Sequence, residues 1–316
     1  MIDILFLGGT SVDLIKEGRG RSSRIKFTAS VGGSITNSSV IGSKLGLKTA
    51  MLSRVGKDML GDFAVGFLKD SRVNTSGIIQ DPDIHTPIAI ADIDKSGSSR
   101  YTFYKNSPEE SIVPLEGVPE YLLSGCKIFH FGSSFSYQEG TSEEALKYVK
   151  LLKKRGVFIS FDPNTRPYAI KDKPAAKNRV LRLLKWVDLA KLSEIDLRFL
   201  TGQNDLQKGL KMLKKKLNAE IILTLGAKGA IYRNKKDRFI RIPAFKVKVV
   251  DTIGAGDGFT AGLLFRLRKI GKRRFFEDLR LNIIFASAVS SLICAGKGAN
   301  EGLKDIKQVR SFLSKR

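Results

Sequence analysis

Short apolar runs alternate with amphipathic helical patterns along most of this chain of 316 residues. Helical patterns occupy 36–46, 62–71 and 141–156, among other stretches, and the apolar runs between such patterns predict strands. This alternation is typical of a largely parallel sheet covered by helices on both faces, a three-layer α/β/α fold whose ligands bind beyond the carboxyl ends of the strands. The predicted strands are ILFLG (4–8), TAMLSRVG (49–56), KIFHFG (127–132), VFISFD (157–162), VDLAKLS (187–193) and AEIILTLG (219–226).

Two segments interrupt this alternation. Residues 14–31 are polar and strand-like with several glycines, and residues 86–106 contain two β-rich runs, IAIAD and RYTFY, joined by the turn sequence DKSGSS. Such a pattern predicts a β-hairpin. No helical pattern accompanies these strands, so we predict a small separate sheet that forms a lid over the main site. An ordinary surface hairpin on the main sheet is the alternative.

The net charge of +24 comes from 55 Lys and Arg against 31 Asp and Glu. A nucleic-acid-binding protein can have such a charge, and so can an enzyme that attracts an anionic substrate. The basic residues are dispersed, however, and short clusters such as KMLKKKL and KIGKRR fall on helical patterns as solvated faces. Specific nucleic-acid binding is therefore not favoured, but it is kept as an alternative of a different class.

The sequence favours a cytoplasmic location. Its apolar runs are much shorter than the roughly 20 residues that span a bilayer. The first residues, MIDILFLGG, have no basic leader and include Asp3, so they predict a buried strand rather than a signal peptide. The two cysteines, Cys126 and Cys294, lie far apart and form no disulfide framework or metal-spaced pair.

Several common catalytic patterns are missing from the sequence. It contains no G-x-x-x-x-G-K-[ST] phosphate loop and no H-R-D triplet. Its two histidines are His85 and His130, and His130 lies in an apolar strand, where a core residue is the better interpretation. A Ser-His-Asp hydrolase or a histidine-ligated metal centre therefore has little support.

The stretch VVDTIGAGDGFTAGLLF (249–265) places a carboxylate among glycines. A strand-like segment ends at Val250, Gly254–Gly256 allow a tight turn, and a helix begins near Asp257. Backbone amides at a helix N-terminus bind anions, and phosphoryl transfer needs such a cradle together with a base for the attacking hydroxyl. By spacing alone, Asp257 fits equally a catalytic base and a cap of the helix.

The segment DTIGAGD (251–257), followed by GFTAG, resembles the second signature of the ribokinase-like (PfkB-type) carbohydrate kinases. The segment VGGSITNSSVIGSKLG (31–46) resembles their first signature, and the resemblance covers almost the full length. It implies a ribokinase-like fold and Mg²⁺-dependent transfer of the γ-phosphate of ATP to a sugar hydroxyl. It also implies that Asp257 is the base and that the turn Gly254, Ala255 and Gly256, with the Asp257 amide, forms the anion hole.

Other segments resemble the ligand-binding segments of the same family. They include SRVGKDMLGDF (53–63), FDPNTRP (161–167), KLSEID (191–196), TLGAKGA (224–230) and GKGA (296–299). By this resemblance the sugar is held by Asp13, Gly32, Gly33, Asn37 and Arg166, and the nucleotide by Lys191, Thr224, Gly226, Gly229, Ala255, Gly256 and Gly298. Asp196 would reach Mg²⁺ through water, and Asp251 would help to bind a monovalent cation, K⁺.

The lid segment RYTFYKN (100–106) is similar to the Phe-Tyr-Arg-Asn segment of fructokinases and 2-keto-3-deoxygluconate kinases. Tyr104 would contact the sugar, and Lys105 replaces the usual arginine. Because lysine cannot bind a carboxylate in the bidentate way of arginine, this change favours a neutral sugar. We therefore predict a fructokinase, with 2-keto-3-deoxygluconate kinase, ribokinase and nucleoside kinase as alternatives. The resemblance also implies one kinase domain over residues 1–316 and a homodimer through the lid.

Overall fold

The computed structural model describes residues 1–17, 25–93, 99–104, 106–233 and 238–315, and each of the six strands predicted for the central sheet overlaps an observed one. The strands are β1 (Ile2–Leu7), β2 (Ser11–Glu17), β3 (Lys26–Gly32), β4 (Thr49–Gly56), β5 (Asn74–Asp81), β6 (Ile88–Ile93), β7 (Ser99–Tyr104), β8 (Cys126–Gly132), β9 (Phe158–Asp162), β10 (Leu189–Ser193), β11 (Glu220–Thr224), β12 (Ala230–Arg233) and β13 (Phe239–Ile242). The α-helices are α1 (Ser34–Lys44), α2 (Met59–Asp70), α3 (Glu120–Gly125), α4 (Thr141–Lys154), α5 (Lys173–Leu184), α6 (Glu194–Thr201), α7 (Leu206–Lys214), α8 (Ala255–Glu277), α9 (Leu279–Cys294) and α10 (Ile306–Ser314).

Nine strands form the central sheet in the order β13-β12-β11-β10-β9-β8-β1-β4-β5. Every neighbouring pair is parallel except β11/β12 and β12/β13. Because successive side chains of a strand point to opposite faces, Leu5 and Phe6 of β1 enter two separate hydrophobic clusters. Helices cover both clusters, which confirms the predicted three-layer fold.

Four strands form a second sheet in the order β3-β2-β6-β7. The predicted separate lid is therefore confirmed, and the alternative of a hairpin on the main sheet is wrong. The lid begins at Ser11 rather than at residue 14, because the whole of β2 pairs with β3. Asp13 consequently lies within a lid strand. The predicted turn DKSGSS falls mostly on 94–98, which lie outside the described residues.

The strand-like segment predicted to end at Val250 is not a strand. Residues 243–250 have irregular backbone, and the side chains of Val249 and Val250 are 56% and 58% exposed. The Val250 amide donates to the Cys294 carbonyl at 2.8 Å, so this segment is fixed by the end of α9 rather than by a neighbouring strand. In the described part of the chain, no helix combines the length and the apolar character that crossing a membrane requires.

Gly262 allows α8 to pack closely against α9, so we predict that Gly262→Ala destabilises the fold. A Cβ at this position would lie 2.8 Å from the Cα of Ala286 in α9, and backbone would have to move. Overpacking of this kind costs about 1–3 kcal/mol, which a lowered thermal unfolding midpoint would show. Gly66 of α2 is the matched control, since a Cβ there meets nothing within 4 Å. Gly66→Ala should raise stability by about 0.5–1 kcal/mol, and equal effects of both substitutions would contradict the packing argument.

Candidate active site

A cavity of about 510 Å³ lies between the lid and the carboxyl ends of the central strands. This is the edge at which ligands bind in open α/β sheets. Lid residues such as Ala89 and Phe103 form one wall, and residues that follow β1, β8 and β9 form another. Eight of the residues selected from the sequence line it: Asp13, Gly33, Asn37, Arg166, Lys191, Gly254, Gly256 and Asp257.

Asp257 lies in the first turn of α8, but it does not cap that helix. The N-cap position is Gly254, which has φ 78° and no capping side chain. The Asp257 carboxylate instead faces α1: Oδ1 accepts from Ser34 Oγ at 2.6 Å, and Oδ2 accepts from Asn37 Nδ2 at 2.9 Å. The capping interpretation is therefore excluded, and a carboxylate aimed into the cavity remains.

Burial raises the pKa of the Asp257 carboxyl above its ordinary value. The hydrogen bonds from Ser34 and Asn37, and then the charges of Lys191 and Arg166, oppose this effect. Asp257 is only 8% exposed, so burial and these four groups together determine how readily its carboxylate takes a proton. A buried carboxylate with a raised pKa is chemically suited to accept a proton from a hydroxyl.

The glycine turn before Asp257 leaves backbone amides bare beside the carboxylate. A Cβ on Gly254 would lie 2.2 Å from the Ala299 carbonyl oxygen, so only glycine fits there. The Ala255 amide already donates to the Thr252 carbonyl at 3.3 Å. The amides of Gly256 and Asp257 belong to the first helical turn, whose N–H groups have no partner within the helix. These two amides are therefore the better candidates for an anion hole.

Lys191 supplies a buried positive charge next to this turn. Its Nζ lies 2.8 Å from Oδ2 of Asp162, and the two side chains are 9% and 3% exposed. Burial lowers the pKa of Lys191, but the carboxylates of Asp162, Asp196 and Asp257 outweigh this and hold it above its ordinary value. A Cβ on Gly256 would lie 3.3 Å from Nζ, so the ammonium group is close to the candidate anion hole.

The sugar side of the cavity is built around Asp13. Burial raises the pKa of this carboxyl to about 6, with Ser11 donating to it at 3.1 Å. A Cβ on Gly32 would lie 2.2 Å from Oδ1 of Asp13, so Gly32 makes room for the carboxylate without lining the cavity itself. Arg166 also lines the cavity, where its charge opposes the raised pKa of Asp13, and its Cζ lies 5.7 Å from the centre of the Phe103 ring.

The lid presents Phe103 to the cavity rather than Tyr104. Phe103 lines the cavity, while Tyr104 is 60% exposed and is not part of its lining. Adjacent residues of a strand point to opposite faces, so only one of the two can face the ligand. The placement expected for Tyr104 is therefore corrected to Phe103. Lys105 lies outside the described residues.

The lid is anchored by Asp58, which caps α2. Its carboxylate accepts from the amide of Gly61 at 2.8 Å, and from the amide and hydroxyl of Thr86 at 2.8 and 2.7 Å. Thr86 precedes the lid strand β6. The glycines of the segment SRVGKDMLGDF allow this contact, because a Cβ on Gly61 would lie 2.0 Å from the Gly56 carbonyl oxygen. This segment therefore holds the base of the lid.

The residues predicted to bind the nucleotide lie mostly outside this cavity, at neighbouring strand ends. Thr224 is paired with Ser193 across β10 and β11, and its Oγ1 donates to the Leu192 carbonyl at 3.2 Å. Gly226 and Gly229 have φ of 56° and 92° and shape the turn between β11 and β12. Their role towards a nucleotide stays a prediction.

Asp196 and Asp251, the two predicted cation ligands, are both engaged in protein hydrogen bonds. Asp196 accepts four, from the amide and hydroxyl of Thr165 at 2.7 and 2.6 Å and from those of Ser193 at 2.7 and 2.5 Å. Asp251 accepts from the amides of Ile253 and Gly298, each at 2.9 Å. A carboxylate has about four acceptor positions, so Asp196 does not fit a further role as a ligand towards Mg²⁺. The described residues contain no group of three or more His, Cys, Asp or Glu arranged around a metal position.

Sequence reasoning missed Ser34 and Asp162 although both lie in segments it had selected. Nothing in the patterns GGSITN and DPNTRP shows that these two side chains bond to Asp257 and Lys191. His130 is a core residue as predicted: it is fully buried, burial lowers its pKa to about 3, and Nδ1 lies 3.0 Å from Ser160 Oγ.

Comparison with known proteins indicates one family. The sequence profile of the pfkB family carbohydrate kinases matches residues 1–306. The probable fructokinase-5 of Arabidopsis thaliana is 31% identical over 302 residues, 94% of this chain and 92% of that protein. The crystal structure of the Xylella fastidiosa fructokinase with bound ATP has a TM-score of 0.89 at 24% identity, covering 99% of this chain and 98% of that one. The Vibrio cholerae O395 fructokinase with bound fructose, ADP and calcium has a TM-score of 0.83 at 26% identity, covering 99% of both chains.

The buried Lys191–Asp162 pair should behave as one unit in stability measurements. Lys191→Met leaves the Asp162 charge buried without its partner, which costs about 3–5 kcal/mol in comparable pairs. The double variant Lys191→Met, Asp162→Asn should recover most of this loss, because neither buried charge remains. Denaturant unfolding of the wild type and both variants measures the effect.

The exposed pair Arg273–Glu277 provides a control for the loss of a cation. Arg273→Met should change stability little, because exposed ion pairs contribute little. If the double variant Lys191→Met, Asp162→Asn were no more stable than Lys191→Met alone, Lys191 and Asp162 would not be coupled.

Proposed function

This chain belongs to the pfkB family of carbohydrate kinases, and on that basis we propose that it is a fructokinase that transfers the γ-phosphate of ATP to a hydroxyl of fructose. It is a sugar kinase, a phosphotransferase with an alcohol group as acceptor. The observation that carries the proposal is the Asp257 carboxylate, buried beside a bare glycine turn and open to the cavity under the lid. Relatives of nearly the same length that are named fructokinases support the choice of sugar.

Asp257 acts as the general base in this proposal. It takes the proton from the attacking sugar hydroxyl, which makes that oxygen a better nucleophile. The transferring phosphoryl group spreads negative charge over its oxygens. The amides of Gly256 and Asp257 at the N-terminus of α8 stabilise that charge, and so does the ammonium group of Lys191 beside them.

The sugar is held between the lid and the strand ends. The carboxylate of Asp13 and the amide of Asn37 can bond to hydroxyl groups, and Arg166 adds donors on the same side. Asn37 also donates to Asp257, so it links the position of the sugar to the position of the base. Closure of the lid over the bound sugar excludes water, which limits wasteful hydrolysis of ATP.

When bound together with ATP, Mg²⁺ would neutralise negative charge on the phosphates. The carboxylate of Asp196 already accepts four hydrogen bonds from the protein. We therefore propose that the ATP phosphates would supply most of the Mg²⁺ ligands, as is usual at nucleotide sites. Asp251 and the 296–299 loop, joined by the bond from Gly298, are proposed to support a K⁺ site. We further propose that the chain forms one kinase domain and is located in the cytoplasm. We also propose a homodimer through the lid, and sedimentation velocity would measure its mass.

Three other kinase activities remain alternatives: 2-keto-3-deoxygluconate kinase, ribokinase and nucleoside kinase. All four activities need the same base and the same anion hole, which the geometry of Asp257 and Gly256 supports equally. A basic nucleic-acid-binding protein on this fold has less support, because a buried base and a buried Lys191–Asp162 pair serve no purpose in it. A sugar panel decides among the kinases.

Asp257→Asn should lower kcat by about 10²–10⁴-fold, the usual contribution of a general base. Asparagine keeps the size of the side chain but cannot accept the proton, so ATP binding should be largely retained. The measurement is ATP-coupled turnover over fructose, 2-keto-3-deoxygluconate, ribose and nucleosides, with ATP affinity measured by calorimetry. Near-normal turnover of the variant would remove Asp257 as the base. Absence of turnover on every compound, with tight salt-sensitive binding of DNA or RNA, would favour the nucleic-acid alternative.

Asn37→Ala should shift the acid limb of the pH profile to higher pH. A base works only when it is ionised, so kcat/KM falls as the pH drops through the pKa of Asp257, which is raised above 3.8. Loss of the Asn37 bond leaves the carboxylate anion less stabilised, and its pKa rises further. Ser38→Ala is the control, because Ser38 Oγ reaches only the backbone carbonyl of Asp257, at 3.4 Å. If both variants kept the wild-type midpoint, the limb would belong to another group.

A further inference from the structure

We propose that this chain phosphorylates its own Ser34 when ATP is bound and the sugar site is empty. The proposal rests on the proposed function, because it uses the same base and the same phosphate donor. It adds a modification site and an activity to that function. Its consequence is an enzyme that is slowly inactivated without sugar and protected by it.

The contact between Ser34 and Asp257 carries the proposal. Ser34 Oγ donates to Oδ1 of Asp257 at 2.6 Å, and both residues line the cavity. A sugar hydroxyl must make the same bond before it can lose its proton. In the empty site, therefore, a serine hydroxyl stands against the base where the acceptor hydroxyl is expected.

No other hydroxyl group of the described residues shares this position. The second donor to the carboxylate is the amide group of Asn37, which is not a phosphoryl acceptor. Ser38, one turn along α1, reaches only the backbone carbonyl of Asp257. The base therefore selects Ser34 among the serines of α1.

The surroundings of Ser34 can accommodate the negative charge of the product. Ser34 is the first residue of α1, and the first turn of that helix contains no acidic residue. Phosphoserine at a helix N-terminus is stabilised by the free amides and the helix dipole. Lys191 and Arg166 are close enough to act electrostatically on Asp257, so positive charge is present near the carboxylate that Ser34 contacts.

The step balances without any further reactant. The Oγ of Ser34 attacks the γ-phosphorus of ATP, and a bond between them forms. The bond from that phosphorus to the bridging oxygen breaks, its electron pair leaves with ADP, and the hydroxyl proton passes to Asp257. The products are phosphoserine, ADP and a proton that Asp257 later releases to solvent.

The reaction should be much slower than sugar phosphorylation. A sugar adjusts its position in the cavity, whereas Ser34 is fixed at the start of a helix and cannot move freely into line with the phosphate. A displacement of about 1 Å from the reactive geometry costs roughly 10²-fold in rate. Once formed, the phosphate occupies the place of the acceptor hydroxyl and faces the Asp257 carboxylate, so the modified chain should be inactive.

The test incubates the full-length protein with Mg²⁺ and ATP labelled in the γ-phosphate, with and without fructose. We expect the label to reach at most one phosphoryl group per chain, to map to Ser34 by peptide mass spectrometry, and to accumulate as activity falls. Fructose should slow the labelling. Ser34→Ala and Asp257→Asn should abolish it, while Ser38→Ala should retain it as the matched control.

Each outcome separates this inference from the proposed function. A protein that phosphorylates a sugar but never labels Ser34 overturns the inference alone, and Ser34 then only positions Asp257. Label on another residue, or label that persists in Asp257→Asn, also overturns it. Label on Ser34 in a protein that turned over no sugar before the incubation, while still unlabelled, supports the inference and overturns the sugar kinase assignment. If neither Ser34 labelling nor sugar turnover occurs, the inference and the proposed function are both overturned.

Discussion

The structure depends on the burial of one carboxylate between the first turns of two helices. Asp257 enters from α8, and its two oxygens are held by Ser34 and Asn37 from α1. A buried charge is costly unless hydrogen bonds or opposite charges compensate it, so the two helices must meet at this point. Their meeting forms the floor of the cavity and aims the carboxylate at whatever lies under the lid.

Compensation of buried charges by hydrogen bonds and opposite charges also explains the rest of the polar cluster. Parallel strands bring all their carboxyl ends to one edge, so Asp162 at the end of β9 and Lys191 within β10 lie side by side. Asp196 joins the segment after β9 to the start of α6 through four hydrogen bonds. Each buried charge is thus compensated by a group from a different element, and the site cannot be altered at one residue without affecting the others.

Some of the site could be predicted because it is local in sequence. The turn of Gly254 and Gly256 and the position of Asp257 at a helix start follow from a dozen consecutive residues. Ser34 and Asp162 could not be recognised as site residues, because their partners are distant along the chain: Ser34 is 223 residues from Asp257. Tyr104 was preferred over Phe103 because the resemblance identified the segment, whereas the pleat of β7 decides which residue faces inward.

The sequence by itself determined the layered fold, the β-rich character of the lid segments and the glycine turn beside Asp257, because hydrophobic periodicity and turn chemistry act over short stretches of chain. Only the tertiary structure decided that Asp257 faces α1 instead of capping α8, that Phe103 faces the cavity, and that the Asp196 carboxylate accepts four hydrogen bonds from the protein. These outcomes depend on which side chains meet after distant segments pack. A buried carboxylate accepts whichever donors the folded chain brings within hydrogen-bonding distance, and spacing along the sequence carries no record of that choice.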